Sequence, residues 1–312
     1  MGIVNSSETR LAVIAETVWG TTPATPTFKN LRFTGESLSI NRQTVSSDDI
    51  RPDRNVSDLT QVGGSAEGDI NFDLSYGGAG SAFDTLLESF MHAAWASDVI
   101  KNGVTQKSVT LEKTFEAGTT DIFYRLTGMV ANQFSLSCTA GQKVTGSFSF
   151  QGKGGSVSNA IIAGATYAAA PTGGVINAAT GFAGLSVTGL TSPKIRSLSF
   201  QAQNNLRGQQ ALGSVDNVGV GAGRVVITGS LEMYLEDSSL LDLYLNGTGA
   251  GLAFTLGQVT AEKYAFIFPA IKFTTCQVVA GGNDQDVIVN AGWQAIYDAG
   301  TSASMQITRA VS

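Results

Sequence analysis

The chain has 312 residues, of which 43% are hydrophobic and 14% charged, with a net charge of −6; ordinary globular chains carry about a quarter charged residues. An acidic balance without any long run of like charges excludes a protein that grips nucleic acid through a basic face, and no apolar stretch reaches the roughly 18 residues of a membrane span. So few charges with 37 glycines point to a β-rich subunit whose surface is covered by neighbours, long enough for two units that each bury a core.

Residues 1–30 read as an extended arm: Pro23 and Pro26 oppose helix, and Val18, Trp19 and Phe28 are free to pack on another surface. Met1-Gly2-Ile3-Val4-Asn5-Ser6 matches a loose myristoylation pattern without the basic cluster that would supply a second anchor, so no stable membrane anchor is expected. A first strand is predicted over 31–42. Residues 43–66 then form a polar excursion carrying Ser46, Asp48, Asp49, Arg51, Asp53, Arg54 and Asp58. It is longer than ordinary connections. Val45, Ile50, Val56 and Leu59 argue for a projecting hairpin or ordered loop rather than disorder.

The clearest strand is 67–76. Ile70, Phe72, Leu74 and Tyr76 point one way, while Glu67, Asp69, Asn71 and Asp73 make a wet, negative face on the other. A helix is predicted over 82–95, where Phe83, Leu86, Leu87, Phe90, Met91 and Ala94 form one apolar stripe, with Asp84, Glu88 and His92 on a solvated flank. Strands follow near 107–115, 121–137 and 143–151. The Gly/Ala/Ser-rich segment 152–180 reads as a linker. A second unit occupies 181–312, repeating the first unit of 31–151.

The repeat rests on the order of elements. Ser37-Leu38-Ser39-Ile40 is echoed by Ser197-Leu198-Ser199-Phe200, and Gly68-Asp69-Ile70 by Gly229-Ser230-Leu231 with Glu232 and Glu236 following. Asp84-Thr85-Leu86-Leu87 is echoed by Ser239-Leu240-Leu241, and the segment ending in Cys138 by the one ending in Cys276. Cysteines at matching places in separate units are poor partners for one another, so both are expected as reduced core residues.

Catalytic chemistry finds little support. His92 is the only histidine, no Gly-x-Ser-x-Gly elbow occurs, and two distant cysteines offer no zinc cluster. Gly219-x-Gly221-x-Gly223 lacks the context of a dinucleotide loop. The alternating acids of 67–76 have the spacing of a hydrated strand as much as of a glycosidase pair. No enzyme activity, cofactor or metal is expected.

Glu16-Thr17-Val18-Trp19-Gly20-Thr21-Thr22-Pro23 resembles the opening of phage tail tube proteins, as do Gly35-Glu36-Ser37-Leu38, the loop Asp49-Ile50-Arg51-Pro52-Asp53-Arg54 and Phe83 to Met91 with Trp95. The resemblance covers roughly the first hundred residues closely. It implies a mainly β fold: two tandem tail-tube-type β-sandwich or barrel units, each with a flanking helix, contributing strands to a β-barrel shared between subunits. It further implies a virion tail component, assembled in the host cytoplasm, whose stacked rings conduct double-stranded DNA without binding it specifically. Partners would be copies of itself and other tail proteins (tape measure, terminator and distal tail proteins). On this reading Glu67, Asp69, Asn71, Asp73, Glu232 and Glu236 are candidates for the lumen. Trp19, Asp48, Asp49, Arg51, Asp53, Arg54 and Asp58 are candidates for contacts between rings or subunits. Two units per chain favour a trimeric, pseudo-hexameric ring; the alternatives are a hexameric ring with the second half as an outer decoration, or a carbohydrate-binding adhesin sandwich.

Overall fold

A computed structural model describes residues 4–116, 118 and 120–312. Its first half contains β1 (Thr9–Ala15), β2 (Thr27–Asn30), β3 (Gly35–Glu36), β4 (Ser39–Ser46), β5 (Leu59–Asp73), α1 (Ala82–Met91), β6 (Val99–Lys101), β7 (Val109–Phe115), β8 (Ile122–Thr139), β9 (Thr145–Gly152), β10 (Gly154–Ser158) and β11 (Thr166–Ala168). The second half contains β12 (Phe182–Val187), β13 (Ile195–Gln203), β14 (Arg207–Gln209), β15 (Gly219–Gly221), β16 (Val226–Tyr234), α2 (Ser239–Leu245), β17 (Ala250–Val259), β18 (Glu262–Val279), β19 (Ile288–Ala295) and β20 (Gln306–Arg309). The fold is mainly β, and its principal sheet curls into a half-barrel.

That sheet runs β4-β5-β9-β8-β13-β16-β19-β18, each neighbour antiparallel to the next. Two strands of 18 residues turn its corners. The first part of β8 pairs with β7 and β10 in a second layer, and its last part joins β9 and β13. The first part of β18 likewise pairs with β17 and β20, and its last part with β19. α1 fills the space between layers in the first half. Ser81 starts it by accepting the Asp84 N–H at 3.2 Å, and His92, left-handed at φ 48°, stops it four residues short of the predicted end at 95.

The two halves pair their strands alike, down to a shared irregularity. In β8·β9 the register shifts between Ala131, opposite Phe150, and Gln133, opposite Ser149. In β18·β19 it shifts between Phe273, opposite Trp293, and Thr275, opposite Gly292. Phe150 lies across from Gly68 and Trp293 across from Gly229, the two glycines aligned in the sequence repeat. This register superposes Phe134 on Cys276, so the cysteines do not occupy equivalent positions as expected. Because the bulge sits at the same place in both halves it leaves them in step, and strand pairing rather than the similar Phe-to-Cys runs sets the equivalence, with Cys138 falling beyond the position of Cys276. Both thiols are free, Cys138 buried and Cys276 half-buried.

Three further expectations are corrected. The arm expected at 1–30, whose first three residues lie outside the described ones, is built into the fold from β1 onward: β1 pairs along its length with β7, and Leu11, Ala12 and Val13 are buried. The 152–180 segment is no free linker, since β10 pairs with β8, β11 runs parallel to β2, and Ile176 is bonded to Leu74 and Val144. His92 is buried rather than solvated beside Glu88, whose carboxylate instead accepts from Lys107 at 3.1 Å and from the Trp95 N–H at 3.2 Å. Burial, which penalises the imidazolium, lowers the His92 pKa.

The halves share a single core. Phe134 stacks on Phe148 at 4.7 Å and meets Phe200 at 5.5 Å; Phe200 meets Phe268 at 5.2 Å, and Phe268 meets Trp293 at 5.0 Å. Each such pair adds about 1 kcal/mol beyond the area it buries. Charge ties the halves as well. Asp84 on α1 is ion-paired with Arg309 on β20, which also holds Asp98 at 3.0 Å and lies over the Trp95 ring at 4.4 Å.

Candidate functional site

The principal sheet has one apolar and one polar face because its strands alternate. Phe72, Phe148, Phe134, Phe200, Leu231 and Val289 enter the core. The opposite face carries continuous cross-strand rows. One runs Asn71, Ser147, Ser135, Gln201, Thr228, Gln294, Lys272; the next runs Asp73, Thr145, Ser137, Ser199, Ser230, Gly292, Thr275. Ser135 and Ser147 are hydrogen-bonded at 2.8 Å, Ser199 and Ser230 at 2.9 Å, and Gln201 donates to Gln133 at 2.9 Å. The face is concave: the trough across β5, β9, β8, β13 and β16 has a volume of about 620 Å³.

Of the residues singled out in the sequence, Glu67, Asp69 and Asn71 are exposed on this face, and Asp73 and Glu232 are half-buried on it. Glu236 lies just past the end of β16. The face is less negative than β5 alone suggests. Asp73 is paired with Lys143 at 2.7 Å, Glu232 with Arg196 at 3.2 Å, and Glu236 with Lys194 at 2.5 Å. Glu67 accepts from the Asn41 amide, and neither it nor Asp69 has a salt-bridge partner among the described residues. Hydroxyl and amide groups dominate. The sequence signal for them was the Ser/Gln alternation in 133–139, 145–151 and 197–203, overshadowed by the acids of a single strand.

β4 and β5 form a hairpin whose tip, 47–58, projects with Asp48, Asp49, Arg51, Asp53, Arg54 and Asp58 all exposed. The tip is internally braced. Arg51 is paired with Asp53 at 2.8 Å, Ser57 donates to Asp49 at 3.1 Å, and Thr60 donates to Asp58 at 2.9 Å. The Arg51 guanidinium and the Asn55 N–H hold the Asp53 carboxyl down at about 2. Ile50, Val56, Leu59 and Val62 are bare on the same hairpin. The corresponding connection of the second half folds back instead: Asp216 pairs with Arg42, and the Asn217 amide donates to the Gly152 carbonyl at 2.9 Å. Trp19 is not at the tip. It packs within the chain beside Gly128 and within 5.8 Å of the Lys153 ammonium.

Both ends of the sheet are open among the described residues. β4 is paired only with β5, and the last part of β18 only with β19. Exposed edges are templates for another strand. Edge pairing and passage along a polar trough are what this arrangement can do. No group of three or more metal-ligating side chains occurs among the described residues.

Residues 6–295 match the family profile described as phage tail tube protein. No individual curated protein matched the chain.

Proposed function

Because the chain belongs to the phage tail tube protein family, and so is a structural subunit of the virion tail, we propose that three copies close into a pseudo-sixfold ring and that stacked rings carry the genomic DNA. The observation that carries this reading is the curled sheet with four strands from each half in the same order and a polar concave face. Closing eight strands on themselves leaves a lumen that side chains fill. Three copies supply 3 × 8 = 24 strands. At roughly 4.8 Å per strand the barrel is at least about 115 Å around, a backbone radius of about 18 Å before strand tilt widens it. A duplex roughly 20 Å wide passes such a bore.

The chemistry of the trough suits transit. Serine, threonine and glutamine hydrate the wall, and the carboxylates repel phosphate or are internally neutralised. Lys143, Arg196 and Lys194 are engaged with those carboxylates, and Lys272, exposed at the far end of one row, has no carboxylate partner among the described residues, which leaves few free cations to exchange for DNA counterions. The projecting tip at 47–58, with its bare Ile50 and Val56, supplies contacts between rings. Electron microscopy of the purified, assembled protein tests the reading. Tubes of rings with three chains each support it. Six chains per ring would overturn the trimer, and monodisperse monomers with glycan affinity would overturn the tube.

A further inference from the structure

The two open edges have a counterpart inside the chain, and it fixes how they meet. Within one subunit the halves are stitched by β8·β13, where Gln133 faces Gln203, Phe134 faces Ala202, Ser135 faces Gln201 and Leu136 faces Phe200. The shared bulge superposes Gln133 on Thr275 and Phe134 on Cys276. Across the other side, Glu36 faces Ile70 and Ser39 faces Glu67, which puts Leu38 opposite Gly68, as Phe200 is opposite Gly229. Ile40 therefore corresponds to Ala202, and Asn41 to Gln203.

We propose, on the ring reading above, that β18 of one copy pairs antiparallel with β4 of the next copy in this inherited register: Thr275 opposite Asn41, Cys276 opposite Ile40, Gln277 opposite Ser39 and Val278 opposite Leu38. Side-chain chemistry agrees at each step. Cys276·Ile40 and Val278·Leu38 continue the apolar face, while Thr275·Asn41 and Gln277·Ser39 continue the polar trough. A one-residue slip would put Val278 and Ile40 on opposite faces.

The β4 edge also shows that it is built to be paired. Ser37 donates its N–H to Asp69, so alternate residues face β5 and the backbone groups of Leu38 and Ile40 point outward. In β13 the equivalent groups are taken by β8. In the free subunit side chains hold their place. The Leu38 N–H donates to the Glu36 carboxylate at 2.8 Å, the Leu38 carbonyl accepts from Lys113 Nζ at 2.8 Å, and the Ile40 N–H donates to the Tyr124 hydroxyl at 2.6 Å. Lys113 and Glu36 are themselves paired at 3.1 Å. Ring closure exchanges these three placeholders for the backbone of the neighbour's β18, so the edge is blunted until that strand arrives.

Cysteine cross-linking of the full chain reads the register. Ser39→Cys with Gln277→Cys, and separately Asn41→Cys with Thr275→Cys, are placed in a Cys276→Ser background, assembled and oxidised. The expected result is a covalent ladder that ends at three chains, with no product from single-cysteine variants. The shifted pair Ser39→Cys with Thr275→Cys lies about 8 Å apart, outside disulfide reach, and should yield about tenfold less. Threefold rings that cross-link through neither matched pair, or better through the shifted one, overturn the register while leaving the ring reading intact. Failure of the unmodified protein to form rings overturns both. Should the variants not assemble, the strand pairing at the junction in a density map of the unmodified tube decides, with Cys276 opposite Ile40 as the supporting outcome and any other register as the refuting one.

Discussion

Replacing Tyr124 by Phe removes one placeholder from the open edge and little else. The ring that lies 4.8 Å from the Lys113 ammonium is kept, and only the hydroxyl bonded to the Ile40 N–H is lost. In the free subunit that N–H loses its partner, which costs about 1 kcal/mol and should lower the melting temperature by about 2 °C for a chain of this size. In the ring the same N–H is bonded by the neighbouring strand, so the assembled state pays nothing. Each junction then gains about 1 kcal/mol, roughly a fivefold stronger association, and three junctions together favour the ring by about 10²-fold. Scanning calorimetry of the unassembled subunit and light scattering against concentration measure the two halves of this statement. A lower melting temperature with a lower concentration threshold for assembly is the expected pair. A lower melting temperature with an unchanged or higher threshold would refute it, because Tyr124 would then be holding Ile40 in the tube as well.

Arg309→Met leaves Asp84 buried without its cation, and a denaturant titration should show a loss of roughly 3–5 kcal/mol, much of it regained when Asp84→Asn is added. Burial pushes the Cys138 thiol from 9.0 up to about 12, so the unfolded chain ionises first. The stability of the neutral buried thiol is intact below pH 9 and falls away as pH rises towards 12; Cys138→Val should make the slope in melting curves shallower, most clearly between pH 9 and 10, while Tyr264 and Tyr167, also pushed up by burial, keep part of it above pH 10. Asp69→Lys with Asp73→Lys places two cations on the polar trough, one of them beside Lys143; slower, more salt-sensitive DNA release from reconstituted phage is expected, and unchanged release would remove the case for a lumen at this face.

Three strands of the first half were legible because their alternation is strong, whereas β4 and β5 reach into 43–66, where polar side chains on both faces hid the strands. Predicted spans near 107–115, 121–137 and 143–151 agree with β7, β8 and β9 to within about two residues at each end, the usual uncertainty of element boundaries. The helix was legible in its stripe but not at its end. His92 adopts a left-handed backbone there while its side chain is buried, and the i, i+4 spacing to Glu88 suggested a solvated pair instead. The arm and the linker were misread because Pro, Gly and Ser report what a segment cannot form locally. They say nothing of a strand such as β1, which is stabilised along its whole length by the distant β7.

Sequence by itself determined the class of the protein, its β pattern and the doubling of its elements, since these follow from side-chain periodicity and from motifs read along the chain. Only the tertiary structure decided that the doubled elements form one curled sheet around one core. The β8·β13 junction and the Phe134–Phe200 contact join residues far apart in sequence, and no local pattern encodes them. It likewise decided the charge of the trough. Lys143, Arg196 and Lys194 come from neighbouring segments to neutralise acids that stand alone in the linear order. Local periodicity sets which way a side chain points; what it then meets is set by the strand that chain topology lays beside it.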